Sequence, residues 1–507
     1  MRTTRLAELL NFQLAYGFFG LLAFGILSFW SGTAVGQVHG TGPSDPALFA
    51  TVFNVSEGTQ LPTQLILNNG PGPRQLNIGE GSIVNSILSP SSGDELNFNG
   101  GTVGSVFSLS SNNEVNIVSG NVDGLIAGGQ VNLIGGALRG LNSSGELNVS
   151  GGTLNGASIG GTANVTGGVL GVITADRDSV VNISGGSFER LNAVDSSVSI
   201  SGGFVGNLNA SSSSDVSITG GNFGRGFTVA EASNVELIGG EFRLNGSSIS
   251  STVTLDSDDV LTGTLSDGSA FIFRGEEALF GRFFDVTLTS ASLPSNDTNP
   301  ILINTASTSL PQSLRPGQSL TSQAGGQLGD HFEAVGATLN LEAGSLGDFA
   351  EFYQSEVNIS GGEVGDAIAA LFGSEVNISG GAIGNGFSAF AGSVVNLSGG
   401  TVGDGFGARA NGQVNVFGTE FFLNGVLLDL VEGEALTVLD RSGNLSGLLA
   451  DGTRFDLDLS RPNSSFVQAP FDVDSILTVT RVTSVPEPSS LFALLAAVVP
   501  ISLRRRR

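Results

Sequence analysis

Five polar residues recur at one offset in the second half of this 507-residue chain: Asp330, Asp348, Asp366, Asn385 and Asp404. Each stands five residues after a glycine-type marker, in successive copies of a repeat. If the copies stack, these carboxylates come within a few ångströms of one another, and like charges directly opposite are unfavourable. A hard cation such as Ca²⁺ would relieve that repulsion, which makes Asp330, Asp348, Asp366 and Asp404 candidate metal ligands. The competing reading is that each aspartate caps its own turn and splays into water, as Asp commonly does. A second column, Asn182, Asn358, Asn377, Asn396 and Asn415, reads as an outward amide stack that supports a sheet and holds no ligand.

Catalytic chemistry has little to draw on. The chain has no cysteine, so thiolate nucleophiles, thiolate metal sites and disulfides are excluded. All its basic residues are arginine, and its two histidines are His39 and His331. His39 falls in the expected leader, and His331 follows Asp330 in a turn, where a solvent-facing role is expected. No nucleophile elbow, phosphate loop or metal-spaced histidine pair is present. No catalytic residue is assigned. Trp30 and the single mature tyrosine, Tyr353, leave little aromatic surface for stacking on sugars.

The elements that would position these columns are short strands. An alternating apolar–polar quartet, a glycine pair, a variable residue and an apolar residue recur, as in Val181-Asn182-Ile183-Ser184-Gly185-Gly186-Ser187-Phe188. Val357 to Val364 and Val376 to Ile383 repeat it. Markers fall at 80, 100, 119, 135, 151, 167, 185, 202, 220 and 239, then at 325, 343, 361, 380, 399 and 418. A period of 16 to 20 residues is the mark of a solenoid. Alternation of this kind is the period of a half-buried strand, and the glycine pair supplies a corner. The residue three after each marker, from Ile83 to Phe421, is always apolar and is expected to form one internal stack. Strands that return above themselves are parallel, about 4.8 Å apart. The expected fold is all-β, a right-handed parallel β-helix, because coils of varying length do not suit the hexapeptide-built left-handed form.

The pattern is duplicated. Gly239-Gly240-Glu241-Phe242-Arg243-Leu244-Asn245-Gly246 closes the first series and Gly418-Thr419-Glu420-Phe421-Phe422-Leu423-Asn424-Gly425 the second. Leu261 to Gly268 then matches Leu445 to Gly452. The expected organisation is a signal peptide over 1–36, a leader over 37–75, β-helix 1 over 76–246, a β cap over 247–292 and a proline-rich junction over 293–318. β-helix 2 follows over 319–425, then a second β cap over 426–482 and a sorting tail over 483–507. Caps are expected because an open solenoid end invites edge-to-edge association.

Both ends carry export signals. Arg2 and Arg5 precede an apolar stretch from about Tyr16 to Trp30, and Ala34-Val35-Gly36 offers small residues for cleavage. At the other end, Val485-Pro486-Glu487-Pro488 precedes an apolar run from Leu491 to Leu503, closed by Arg504, Arg505, Arg506 and Arg507. Thirteen helical residues reach only about 20 Å, which suits a transient transmembrane tether better than a permanent anchor. This tail resembles the PEP-CTERM sorting signal of Gram-negative bacteria. The resemblance implies processing near Pro486, Glu487 and Pro488 by an exosortase-type membrane protease. The Val-Asn-Ile-Ser-Gly-Gly coils are similar to those of repeat-bearing PEP-CTERM proteins of planctomycetes, which implies an envelope or extracellular location and no established activity.

The net charge of −26 repels nucleic acid and anionic lipid, which makes both poor partners, and no nucleic-acid binding is expected. The expectation is therefore an exported, non-enzymatic structural or adhesive protein of the cell surface or extracellular matrix. Extracellular polysaccharide is its expected partner. The alternatives are a polysaccharide-processing lyase or hydrolase on a β-helix, or passive Ca²⁺ or glycan binding.

Overall fold

The computed structural model describes residues 52–483, apart from residue 56 and residues 67–73, 89–91, 105–106, 276–282, 307–310 and 461–469. Among the described residues every regular element is a strand. The chain divides into two compact units, one of residues 1–238, 251–258 and 275–289, the other of 239–250, 259–274 and 290–507. Each is a parallel β-helix.

In the first unit one register runs through every coil. Asn54, Asn77, Asn97, Asn116, Asn132, Asn148, Asn164 and Asn182 are successive Cα partners. Ser199, Ser217 and Glu236 continue the line. The second unit repeats this with Thr321, Asn340, Asn358, Asn377, Asn396, Asn415 and Thr478. Pairing there already begins at Ile301–Ile303 and Ser313–Leu314, inside the stretch expected as a junction. Pro300 and Pro316 lie just outside these strands, where no ladder hydrogen bond needs their missing N–H.

The quartets behave as their alternation predicts. Val181 and Ile183 are buried, while Asn182 and Ser184 face out. Both members of the glycine pair are needed, for different reasons. A Cβ on Gly185 would lie 2.3 Å from the carbonyl oxygen of Thr166 in the coil below, and Gly186 has φ +86°. The first permits close approach of two backbones and the second permits the turn.

Of the sixteen residues expected in the apolar stack, fourteen are buried, and Val402 packs partly against the core. Ile83 is the exception, 46% exposed. Its register partner is Thr102, and Val84 pairs with Val103. That corner holds one extra residue, and a slip of one residue turns a side chain to the other face.

The two shared closing phrases prove to be partners of each other. Leu244 pairs with Leu261 and Gly239 with Leu265; Leu423 pairs with Leu445 and Gly418 with Leu449, all antiparallel. Asn245-Gly246 and Asn424-Gly425 make two-residue hairpin turns, each residue with positive φ. In both copies a phenylalanine pair packs across the cap, Phe242 with Phe271 at 6.3 Å and Phe421 with Phe455 at 6.0 Å. Within the expected first cap, residues 259–274 group with the second unit and 251–258 with the first.

Candidate functional site

The aspartate column is assembled as a ladder. The backbone N–H of Asp348 donates to Oδ1 of Asp330 at 2.9 Å, and that of Asp366 to Oδ1 of Asp348 at 2.7 Å. Asn385 N–H donates to Asp366 at 2.7 Å and Asp404 N–H to Oδ1 of Asn385 at 2.9 Å. The next residue in each coil, His331, Phe349, Ala367, Gly386 or Gly405, has positive φ. In the first four its N–H donates to the following coil, as His331 N–H does to the carbonyl of Asp348 at 2.7 Å. Each side chain thus replaces a backbone carbonyl where the chain bends away from its own ladder. An amide serves as well as a carboxylate, which is why Asn385 fits the series. The four carboxylates come together in space, but Asp330, Asp348 and Asp366 each commit Oδ1 to the next coil. Among the described residues no group of three or more His, Asp or Glu side chains is placed to hold a metal ion. His331 stacks on Phe349, ring centroids 4.9 Å apart and planes 14° from parallel.

The asparagine column forms a second ladder. Nδ2 of each residue donates to Oδ1 of the asparagine one coil earlier, unbroken from Asn182 back to Asn54 at 2.7–3.0 Å. A second run links Asn415 back to Asn340. Glu95, Glu146, Glu356 and Glu375 each accept a further bond from these amides. This polar column is thereby tied to itself.

A third polar set escapes the repeat logic. In the short sheet of the second unit, Ser313, Glu333, Glu351, Ala369, Ser388 and Gly407 are register partners. Their side chains point away from the main core, yet Glu333 and Glu351 are each only 4% exposed. The strand Ala270–Arg274, buried along its whole length, covers them. Arg274 Nη1 meets Glu351 Oε1 at 3.1 Å, and its guanidinium carbon sits 4.3 Å from the centroid of Phe390. Ala270 and Ile272 pack with Val335, Tyr353, Ala369 and Leu371, and Ala270 N–H donates to Ser313 Oγ at 2.9 Å. Two glutamates and an arginine are the residue types a glycan-processing site would use. Here the strand seals them from solvent, and they act as the polar centre of an internal interface. The sequence held one faint signal: Glu at a coil position where other copies carry Ala, Ser or Gly.

Tyr353 belongs to the same interface. Its ring is wholly buried and its hydroxyl has no hydrogen-bond partner. Burial pushes its phenol above its ordinary value near 10, and the positive charge of Arg243 opposes this.

The processing residues Pro486, Glu487, Pro488 and Arg504 to Arg507 lie outside the described residues, as does the signal peptide. Among the described residues no helix is long and apolar enough to cross a membrane. The chain matches no protein-family model, no curated protein and no solved structure.

Proposed function

We propose that this chain is an exported, non-enzymatic repeat protein that serves as a structural or adhesive element of the cell surface or extracellular matrix. The observation that carries the reading is the self-bonded outer surface. Its two asparagine ladders and its aspartate ladder join coil to coil. A surface of this kind favours stiff, durable coils over a site that must bind, turn over and release a substrate. The buried Glu333, Glu351 and Arg274 set supports the same view, since a reacting glycan would have to displace an entire strand to reach it. Delivery is assigned to the two ends: cleavage after residue 36, then sorting through Pro486-Glu487-Pro488 by an exosortase-type protease, with Arg504 to Arg507 as the cytoplasmic stop. Extracellular polysaccharide is the proposed partner. Intact-mass measurement of the protein taken from its native envelope tests the reading. The expected mature chain begins near Gln37 and ends near Val485; a chain that keeps residues 1–36 or the terminal arginines would refute the proposed processing.

A further inference from the structure

Several strongly exposed apolar side chains lie on the segments that close the C-terminal end of the second unit. Leu439 is 85% exposed, Val426 and Val431 68%, Val473 66% and Leu427 52%. Others, such as Ile134, Val169 and Leu302, lie along the coils.

These segments are held at the C-terminal end of the unit by named bonds. Asn424 Nδ2 lies 3.5 Å from Asp440 Oδ2, and Val438 N–H donates to the carbonyl of Leu477 at 2.9 Å. Arg441 Nη2 donates to the carbonyl of Ser475 at 3.1 Å, and Arg481 Nη1 bonds the carbonyl of Leu430. The backbone beneath the patch is therefore fixed, and its apolar groups are presented rather than loosely trailing.

The chain leaves the unit at this same end. Val482 N–H donates to the carbonyl of Gly418 at 2.9 Å, and only residues 483–490 separate it from the apolar run 491–503. Eight extended residues span at most about 28 Å. Whatever holds that run also holds the patch close to it. An apolar patch so placed gains by lying in a bilayer interface. Asp429, Glu432, Glu434, Asp440, Asp472 and Asp474 stand among the apolar residues. They would repel anionic lipid, so the matching surface carries uncharged headgroups.

We propose that the C-terminal end of the second unit is a membrane-facing surface, seated on a zwitterionic bilayer while the tail tethers the chain. The inference rests on the reading of the tail as a tether. Because the chain has no cysteine, single thiols report position cleanly. Three full-length variants are labelled with a polarity-sensitive fluorophore: Leu439→Cys in the patch, Glu363→Cys on an exposed coil position, and Ala496→Cys in the tail. Each is mixed with phosphatidylcholine vesicles carrying a lipid-bound quencher, with and without added phosphatidylserine. The expected result is a blue shift and quenching at 439 but not at 363, weakened by phosphatidylserine. A label at 439 that behaves like the one at 363 while 496 is quenched overturns the seated surface and leaves the tether standing. If 496 is unquenched as well, the tether reading fails and takes this inference with it. A shift at 439 without vesicles also overturns it. Dependence on protein concentration would then identify a second copy as the cover, and loss on deleting 491–507 would identify the tail.

Discussion

The backbone N–H of Asp366 donates to Oδ1 of Asp348 at 2.7 Å, so a side chain of one coil stands in for a backbone carbonyl of the next. This bond explains why aspartate recurs at a corner where stacked carboxylates repel. The acceptor matters and the charge does not. Asp348→Ala is expected to lower the stability of the chain by about 1–2 kcal/mol in denaturant unfolding, and Asp348→Asn by much less. Equal losses in the two variants would count against the ladder.

The same bond bears on Ca²⁺. With Oδ1 already accepting a backbone N–H, Asp330, Asp348 and Asp366 offer a cation only their outward oxygens. Added Ca²⁺ is expected to leave the melting temperature unchanged. A rise that saturates with Ca²⁺ and disappears in Asp348→Asn would mean that the column is a metal site after all.

At the glycine corner, Gly185→Ala forces a Cβ to within 2.3 Å of a backbone carbonyl, which no rotamer change can relieve. The expected cost is about 1–3 kcal/mol, the range for overpacking a tight interior. Thermal unfolding at wild-type temperature would show that neighbouring coils can spread apart, contrary to the close approach of Gly185 and Thr166.

Much of this is legible in the sequence, and the reason is local. The quartet and the corner sit within eight consecutive residues, so Val181 to Phe188 alone specifies strand, turn and inner face. The closing phrases point to the caps because Leu244 and Leu261 are repeated as Leu423 and Leu445. Ile83 departs from the expected stack because spacing from a marker cannot see an inserted corner residue. A further column lies outside the eight-residue unit: Asp94, Asn113, Ser179, Ser196, Ser214 and Ser233, each buried two residues before the first inward residue of its quartet. Glycine holds the position in three coils, at Gly129, Gly145 and Gly161, and serine in the next four, so it escapes a search anchored on the glycine pair. In the second unit Ser355 and Ser374 fill the corresponding corner and donate to the carbonyls of Ala334 and Phe352 at 2.9 and 2.8 Å. The pairing of Arg274 with Glu351, 77 residues apart, depends on how a hairpin folds over a sheet, and no periodicity encodes that.

That buried pair should be strongly coupled. Arg274→Met or Glu351→Leu alone removes one partner of a buried ion pair and is expected to cost about 3–5 kcal/mol. The double variant should cost clearly less than the sum of the two. Additive losses in a double-mutant cycle would show that the pair does not interact energetically.

Tyr353 gives a prediction in pH. Its folded value is raised, so the unfolded phenol ionises first; its contribution to stability is intact below about pH 10 and is lost as pH rises through the folded value. Tyr353→Phe removes that loss and also a buried hydroxyl without a partner. At neutral pH the variant should match or exceed the wild type in melting temperature, and above about pH 10 its advantage should grow. A large loss at neutral pH would mean that the hydroxyl is bonded.

On the proposed function, the chain persists and adheres without turnover. Incubating the full-length protein with a panel of neutral and acidic polysaccharides, and measuring newly formed reducing ends, tests it most directly. Retention of protein on one or more glycans with no new reducing ends is the predicted result. Release of reducing ends that scales with protein concentration and survives repurification would contradict it, and would direct attention to Glu333, Glu351 and Arg274 beneath a strand that opens.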